Sequence, residues 1–163
     1  MNVIEKVNEK CKRGSIRKTS QCDVQRLMFD LIQEDINYSL EAGFCDHHEM
    51  IAYTAVHSSC SFSVLDDESN FCSAFGLVPI EKKDSAVVWF LSCSQFKRHM
   101  TKIHFAKDFL DMCNIALDEM SLQFPFIYCN ISKNNIFASR RAKLMKFSKS
   151  RSLGKVDEYV RSL

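Results

Sequence analysis

Three stretches of this chain hold side chains whose types could do chemistry. The first is Cys45-Asp46-His47-His48-Glu49, which packs metal-capable groups into five positions. Neighbouring side chains on a helix point apart, so His47 and His48 cannot serve one ion from a regular helical face. An aspartate just before a helix is above all an N-cap. His99 and His104 lie five apart and miss the four-residue spacing of a helical metal pair, and His57 has no evident partner. No metal set is expected from these spacings.

The second is Tyr128 with Asn130, near the end of the apolar run FPFIYCNI. A tyrosine is a general acid when its pKa is lowered, although a buried tyrosine with a satisfied hydroxyl is the commoner use. No Ser/His/Asp set and no nucleophile turn stand out, so no catalytic residue is assigned. The third is the run of cations Arg140, Arg141, Lys143, Lys146, Lys149 and Arg151, with no acid among them. Such a face would release counterions on nucleic acid. It lacks interleaved aromatics for base stacking, because Ile136, Phe137, Leu144 and Phe147 read as a core-facing stripe. The run reads first as a basic face that meets an acidic protein partner or simply solvent; nucleic acid and the phosphates of CoA remain open alternatives.

The cations weigh on the whole chain. Net charge is +2, yet the nine Lys/Arg of residues 121–163 against Asp157 and Glu158 make that part +7, leaving −5 on residues 1–120. A basic third on an acidic body is a polarity that partners can read. The eight cysteines lie 11 to 23 residues apart without a CxxC pair. Several sit in apolar segments as small hydrophobes, so reduced thiols are expected. The opening residues MNVIEKVNEKCKR have no apolar core of the secretory kind, and no apolar run approaches the ~20 residues of a membrane span. A non-secreted protein is expected.

The elements that must position these residues follow from hydrophobic period. Residues 1–14 read as a polar lead-in or short helix, and 15–163 as one domain. After a short extended piece at 15–20, one helix is expected from Gln21 to Gly43 and a second over 47–59. Alternation of Cys60, Phe62 and Val64, then FCSAFGLVPI, predicts an antiparallel hairpin over 60–80. AVVWFLSCS (86–94) reads as a central strand covered on both faces. A long amphipathic helix, a strand at 124–131, a helix at 135–147 and at most one terminal strand complete the order. The sum is an α+β layer with helices flanking a mostly antiparallel sheet.

This order resembles the GCN5-related N-acetyltransferase (GNAT) fold. SIRKTSQCDVQRLMFDL is similar to its opening strand and helix, and FSVLDDESNFCSAFGLVPI to its central hairpin. Gly76 to Pro79, Trp89 to Leu91, Tyr128 and a basic-aromatic helix ending at Phe147 also resemble the internal virion protein A family of short-tailed phages. In GNAT enzymes a glycine-rich loop after the fourth strand holds the CoA diphosphate. The matching residues 92–104 contain no glycine; Gln95 and Arg98 are the polar candidates there, while Phe96 and Met100 fill the place of the cradle. Lys146 stands where such folds commonly have glycine. Tyr128 and Asn130 fall where the fold places substrate or cofactor contacts. The resemblance therefore implies a phage virion-associated or accessory binding protein on a GNAT-like, non-catalytic scaffold, without a cofactor, found in host cytoplasm and virion and bound to a virion or host component. The alternatives are an N-acetyltransferase using acetyl-CoA with an atypical loop, and a small nucleic-acid-binding modulator.

Overall fold

The computed structural model describes residues 2–162. Its first element, α1 (Val3–Lys10), is closed by a reciprocal Asn2–Glu5 capping box and buries Val7 completely in the main core. The polar N-terminal segment is thus a helix packed on the body. β1 (Gly14–Lys18) leads into α2 (Gln21–Asp30), capped by Ser20 and Asp23. Asp23 is 3% exposed and receives the Arg17 guanidinium in a fork, at 2.5 and 2.8 Å, and the Ser63 hydroxyl at 2.8 Å. Burial alone would raise its pKa; the bonds from Arg17, Ser20 and Ser63 outweigh burial and hold the carboxyl at about 2.

The helix expected from Gln21 to Gly43 is two helices. Leu31 leaves the helix to form an isolated bridge with Cys93, and the Ile32 N–H donates to the Ser92 carbonyl. The chain then re-enters a helix as α3 (Gln33–Glu41), followed by α4 (His47–His57). Backbone pairing to the sheet outbids helical continuity at this one point.

The sheet holds β2 (Cys60–Asp66), β3 (Phe71–Pro79), β4 (Ser85–Ser92), β5 (Phe126–Ser132), β6 (Ser148–Leu153) and β7 (Val156–Ser162) in the order β1-β2-β3-β4-β5-β7-β6. Every neighbouring pair is antiparallel except β4 and β5. The parallel pair needs a crossover, which is made by α5 (Ser94–Met100) and α6 (Ile103–Ser121). The fold is α+β, with α1, α5, α6 and α7 (Ile136–Leu144) contributing to a large core on one face of the sheet. A smaller core on the other face joins Leu27 of α2 and Met50 and Ile51 of α4 to Ala74 and Leu91.

Close packing in the hairpin requires Gly76. A Cβ there would lie 2.6 Å from the Cys60 carbonyl oxygen and 2.8 Å from the Trp89 ring. The opposite exception is Lys146, which ends α7 in the left-handed region at φ 65°; Lys146 N–H donates to the Lys143 carbonyl and Phe147 N–H to that of Ala142. That is the helix stop usually given to glycine.

The C-terminal residues depart most from expectation. Residues 148–162 form a β6–β7 hairpin turning at Gly154, φ 57°, two strands where at most one was expected, so the basic run is divided between α7 and β6. Phe147 is buried, but Ile136, Phe137 and Leu144 are 60, 75 and 61% exposed and make no core-facing stripe.

Two substitutions test these backbone assignments in urea unfolding. Gly76→Ala should cost about 1–3 kcal/mol through overpacking. Lys146→Gly should be neutral or stabilising, by up to about 1 kcal/mol, through relief of the left-handed side chain.

Candidate functional site

β4 and β5 pair only at Ser85–Val87 against Phe126–Tyr128. Both strands continue, to Ser92 and Ser132, but they diverge. Their outer edges stay bonded, to β3 and β7, while the inner edges part. Between them opens a cavity of about 310 Å³ that reaches α3 and α4 on one face and α7 on the other. Most of its wall is apolar, including Val88, Phe90, Leu91, Phe96 and Phe109, and the polar side chains on it include Asp35, Tyr38, Thr54, Asn130 and Arg141.

Asp35 is placed by the break between α2 and α3. Having bridged to the end of β4, the chain turns into α3 so that the Asp35 carboxylate accepts the Ser92 backbone N–H at 2.8 Å. Among the described residues no cation lies within ion-pair distance of Asp35. Burial pushes its carboxyl up to about 7, against the opposing pull of the Ser92 bond and the more distant Arg141 charge. Burial also raises the Tyr38 hydroxyl, helped by Cys129 and Asp35 nearby.

Arg141 is held by packing. Its guanidinium sits 5.5 Å from the centre of the Phe96 ring, and burial lowers its pKa. At the rim, Lys97 bonds Glu34 at 2.5 Å, and this contact is the largest influence holding the Glu34 carboxyl below its usual range. On the β5 side, Asn130 presents a buried side-chain oxygen with no partner.

The residues singled out by sequence scatter around this cavity. Asn130 and Arg141 line it. Tyr128 does not: its hydroxyl receives the Lys82 ammonium, which lies 4.8 Å from its ring centre. Gln95 turns away to Asp66 and His99, at 3.4 and 3.5 Å, and Arg98 is exposed. Arg140 and Lys143 are exposed on α7, and Lys146 pairs with Asp118 at 3.6 Å. Lys149 and Arg151 sit on β6, paired with Asp157 and Glu158. The expected continuous basic face is therefore divided between a helix, a cavity wall and an ion-paired strand. Asp46 caps α4, and the rings of half-buried His47 and exposed His48 lie 4.0 Å apart. All eight cysteines are free thiols, and burial pushes Cys72 and Cys129 up to about 12.

Asp35 and Tyr38 were missed because the helical period hides them in an unbroken helix. The one available signal was the apolar pair Leu31-Ile32 before the acidic cluster Glu34-Asp35, which marks a helix restart. No helix among the described residues is long and apolar enough to cross a membrane.

By sequence, no family model and no curated protein matches the chain. By structure it is similar to spermidine N-acetyltransferase from Vibrio cholerae in complex with CoA and spermine, at 17% identity and TM-score 0.65, covering 92% of this chain and 95% of that one. The dodecameric form of that enzyme in an intermediate state aligns at 14% identity and TM-score 0.62, covering 92% and 94%. Its complex with manganese ions aligns at 15% and 0.60, covering 96% and 94%. These matches overturn the expectation of a non-catalytic phage accessory protein, since they run the length of the chain and are to acetyltransferases. The virion protein likeness finds no support among them. What the likeness shows is the scaffold: this chain has the GNAT-like fold, a mostly antiparallel seven-stranded sheet opened between β4 and β5.

Proposed function

We propose that this protein is an N-acetyltransferase that moves an acetyl group from acetyl-CoA to an amine. The observation that carries this reading is the split between β4 and β5. Beyond Val87 and Tyr128 the two facing strand edges no longer bond each other and bound an apolar slot, and buried backbone polar groups demand partners. A linear arm bearing amides can meet that demand along both edges. The unpartnered Asn130 oxygen in the wall asks for a donor of the same kind.

The fit is uneven along the ligand. The slot suits the thioester arm. The diphosphate would find no glycine cradle, because α5 stands in that place with Phe96 packed edge-on against Phe109 at 4.9 Å. Charge must replace backbone there: Arg141 lines the cavity, and Lys97 on α5 shares Glu34 with it. Bound acetyl-CoA supplies an activated carbonyl. The chain's own contribution is to make the acceptor nucleophilic: an amine enters as an ammonium, and Asp35 takes its proton. A carboxyl near 7 is matched to that task at neutral pH, half ionised yet basic enough to accept. Arg141 draws part of the Asp35 charge without forming a pair that would quench it. The matched enzymes are named for spermidine, so spermidine and spermine are the first acceptors to try.

The test is acetyl-CoA with spermidine, read by mass spectrometry of the product. Acetylspermidine should appear, with a rate that rises as pH passes through about 7, and Asp35→Asn should lower kcat by about 100-fold or more. No product from spermidine, spermine or an amine panel, with no thermal shift on acetyl-CoA, would sink the reading. Binding of acetyl-CoA should weaken in Lys97→Gln and weaken further with salt.

Stability supplies a second check on Asp35. Its folded pKa lies above the unfolded value near 4, so its contribution is full below pH 4 and is lost as pH rises through about 7. Asp35→Asn keeps an acceptor for Ser92 N–H. It should therefore melt higher than wild type at pH 8, with the gap closing toward pH 5.

A further inference from the structure

Outside the cleft, three side chains from three elements converge beneath α5. Asp66 ends β2, Cys72 opens β3 and His99 lies on α5; they are 3, 0 and 7% exposed, and their donor atoms lie within 4.8 Å of one another. We propose that they bind a late first-row divalent metal ion, zinc foremost, which pins α5 to the β2–β3 hairpin.

The donor set selects the ion. One thiol, one imidazole and one carboxylate suit zinc, whereas magnesium and calcium require several oxygens. Around a tetrahedral ion, neighbouring ligand atoms stand about 3.3–3.8 Å apart. His99 Nε2 is already 3.0 Å from Asp66 Oδ2, so only a small adjustment admits the ion.

The carboxylate is aimed in advance. Its Oδ1 accepts the backbone N–H groups of Glu68 and Asn70, at 2.9 and 2.8 Å, and the Asn70 amide steadies Oδ2 at 3.1 Å. Outer bonds of this kind orient a metal ligand. The Gln95 amide nitrogen lies 3.4 Å from Asp66 Oδ2 and 3.5 Å from His99 Nε2, so the same side chain, turned to present its oxygen, stands in reach as a fourth donor.

The competing arrangement is a metal-free one, with an Asp66–His99 hydrogen bond beside a core thiol that points at the Asn70 carbonyl, 3.5 Å away. The two differ in what holds α5. That helix occupies the place where related folds bind phosphate, so a metal anchor would set the rigidity of this wall of the cleft. The ion itself lies apart from the cavity, and its readouts do not depend on acetyl transfer.

Cobalt(II) is the probe, titrated into chelator-treated full-length protein and then displaced by zinc. The expected result is a thiolate-to-cobalt absorption band that saturates at a single equivalent and bleaches with zinc. Cys72→Ser should abolish the band. Asn70→Ala, which removes no ligand, should weaken affinity about 10- to 100-fold, and His99→Ala at least as much. Cys45→Ser and His48→Ala, on the exposed α4 entry, should change nothing. If Cys72→Ser does not fold, Asn70→Ala and His99→Ala decide by the same band. Absence of the band in wild type overturns the site. So does its persistence in Cys72→Ser, or its loss in Cys45→Ser alone.

Discussion

Strands β4 and β5 run together for three residues and then part, and the rest of the protein is arranged around that parting. Their parallel sense forces a long crossover, which is why α5 and α6 lie between them in sequence and lay the largest core against one face. Their outer edges are secured by β3 and β7, so the divergence cannot be repaired by sliding either strand. The unpaired inner edges have to be met by something else. At the tip of β4 that is Asp35.

The position of Asp35 shows how one satisfied backbone group creates a reactive one. The Ser92 N–H needs an acceptor, and α3 brings a carboxylate to it, but the same placement removes the carboxylate from water. The obvious remedy would be an ion pair with Arg141. That guanidinium instead lies over Phe96, close enough to act on Asp35 through its field and too far to bond it. Burial therefore wins over attraction, and the group titrates near neutrality. The contrast with Asp23 is direct: burial acts on it too, but a bonded guanidinium and two hydroxyls reverse the outcome.

The basic C-terminal third illustrates the distance between composition and surface. Seven net charges over residues 121–163 read as one electrostatic face. Folded, Lys149 and Arg151 lie on edge strand β6 opposite Asp157 and Glu158, Arg161 is buried against Asp118 at 2.5 Å, and Arg141 turns inward. The pairs of exposed Lys149 and Arg151 contribute little to stability, but all of these pairs consume the charge a partner would need. Charges on an edge strand also discourage pairing with other chains.

Elements with a strong local period were legible in the sequence: the β2–β3 hairpin from its alternation, β4 from its apolar run, α6 from its stripe, and the α+β order from their succession. The resemblance to the GNAT fold also marked Lys146 as standing where glycine is usual, and the segment after β4 as lacking the glycines of that fold. The sequence by itself thus determined most of the helix and strand segments, and hence the scaffold, though not the split of α2 from α3 or the β6–β7 hairpin. Tertiary structure decided the break at Leu31-Ile32, of which Glu34-Asp35 was the one local hint, because a bridge to Cys93 carries no trace in helical periodicity. It likewise decided which cations face inward and how Asp66, Cys72 and His99 meet, since those depend on contacts between residues distant in the chain. The physical reason is range: period and capping act over a few residues, whereas the splay of two strands and the burial of a carboxylate are set by everything packed around them.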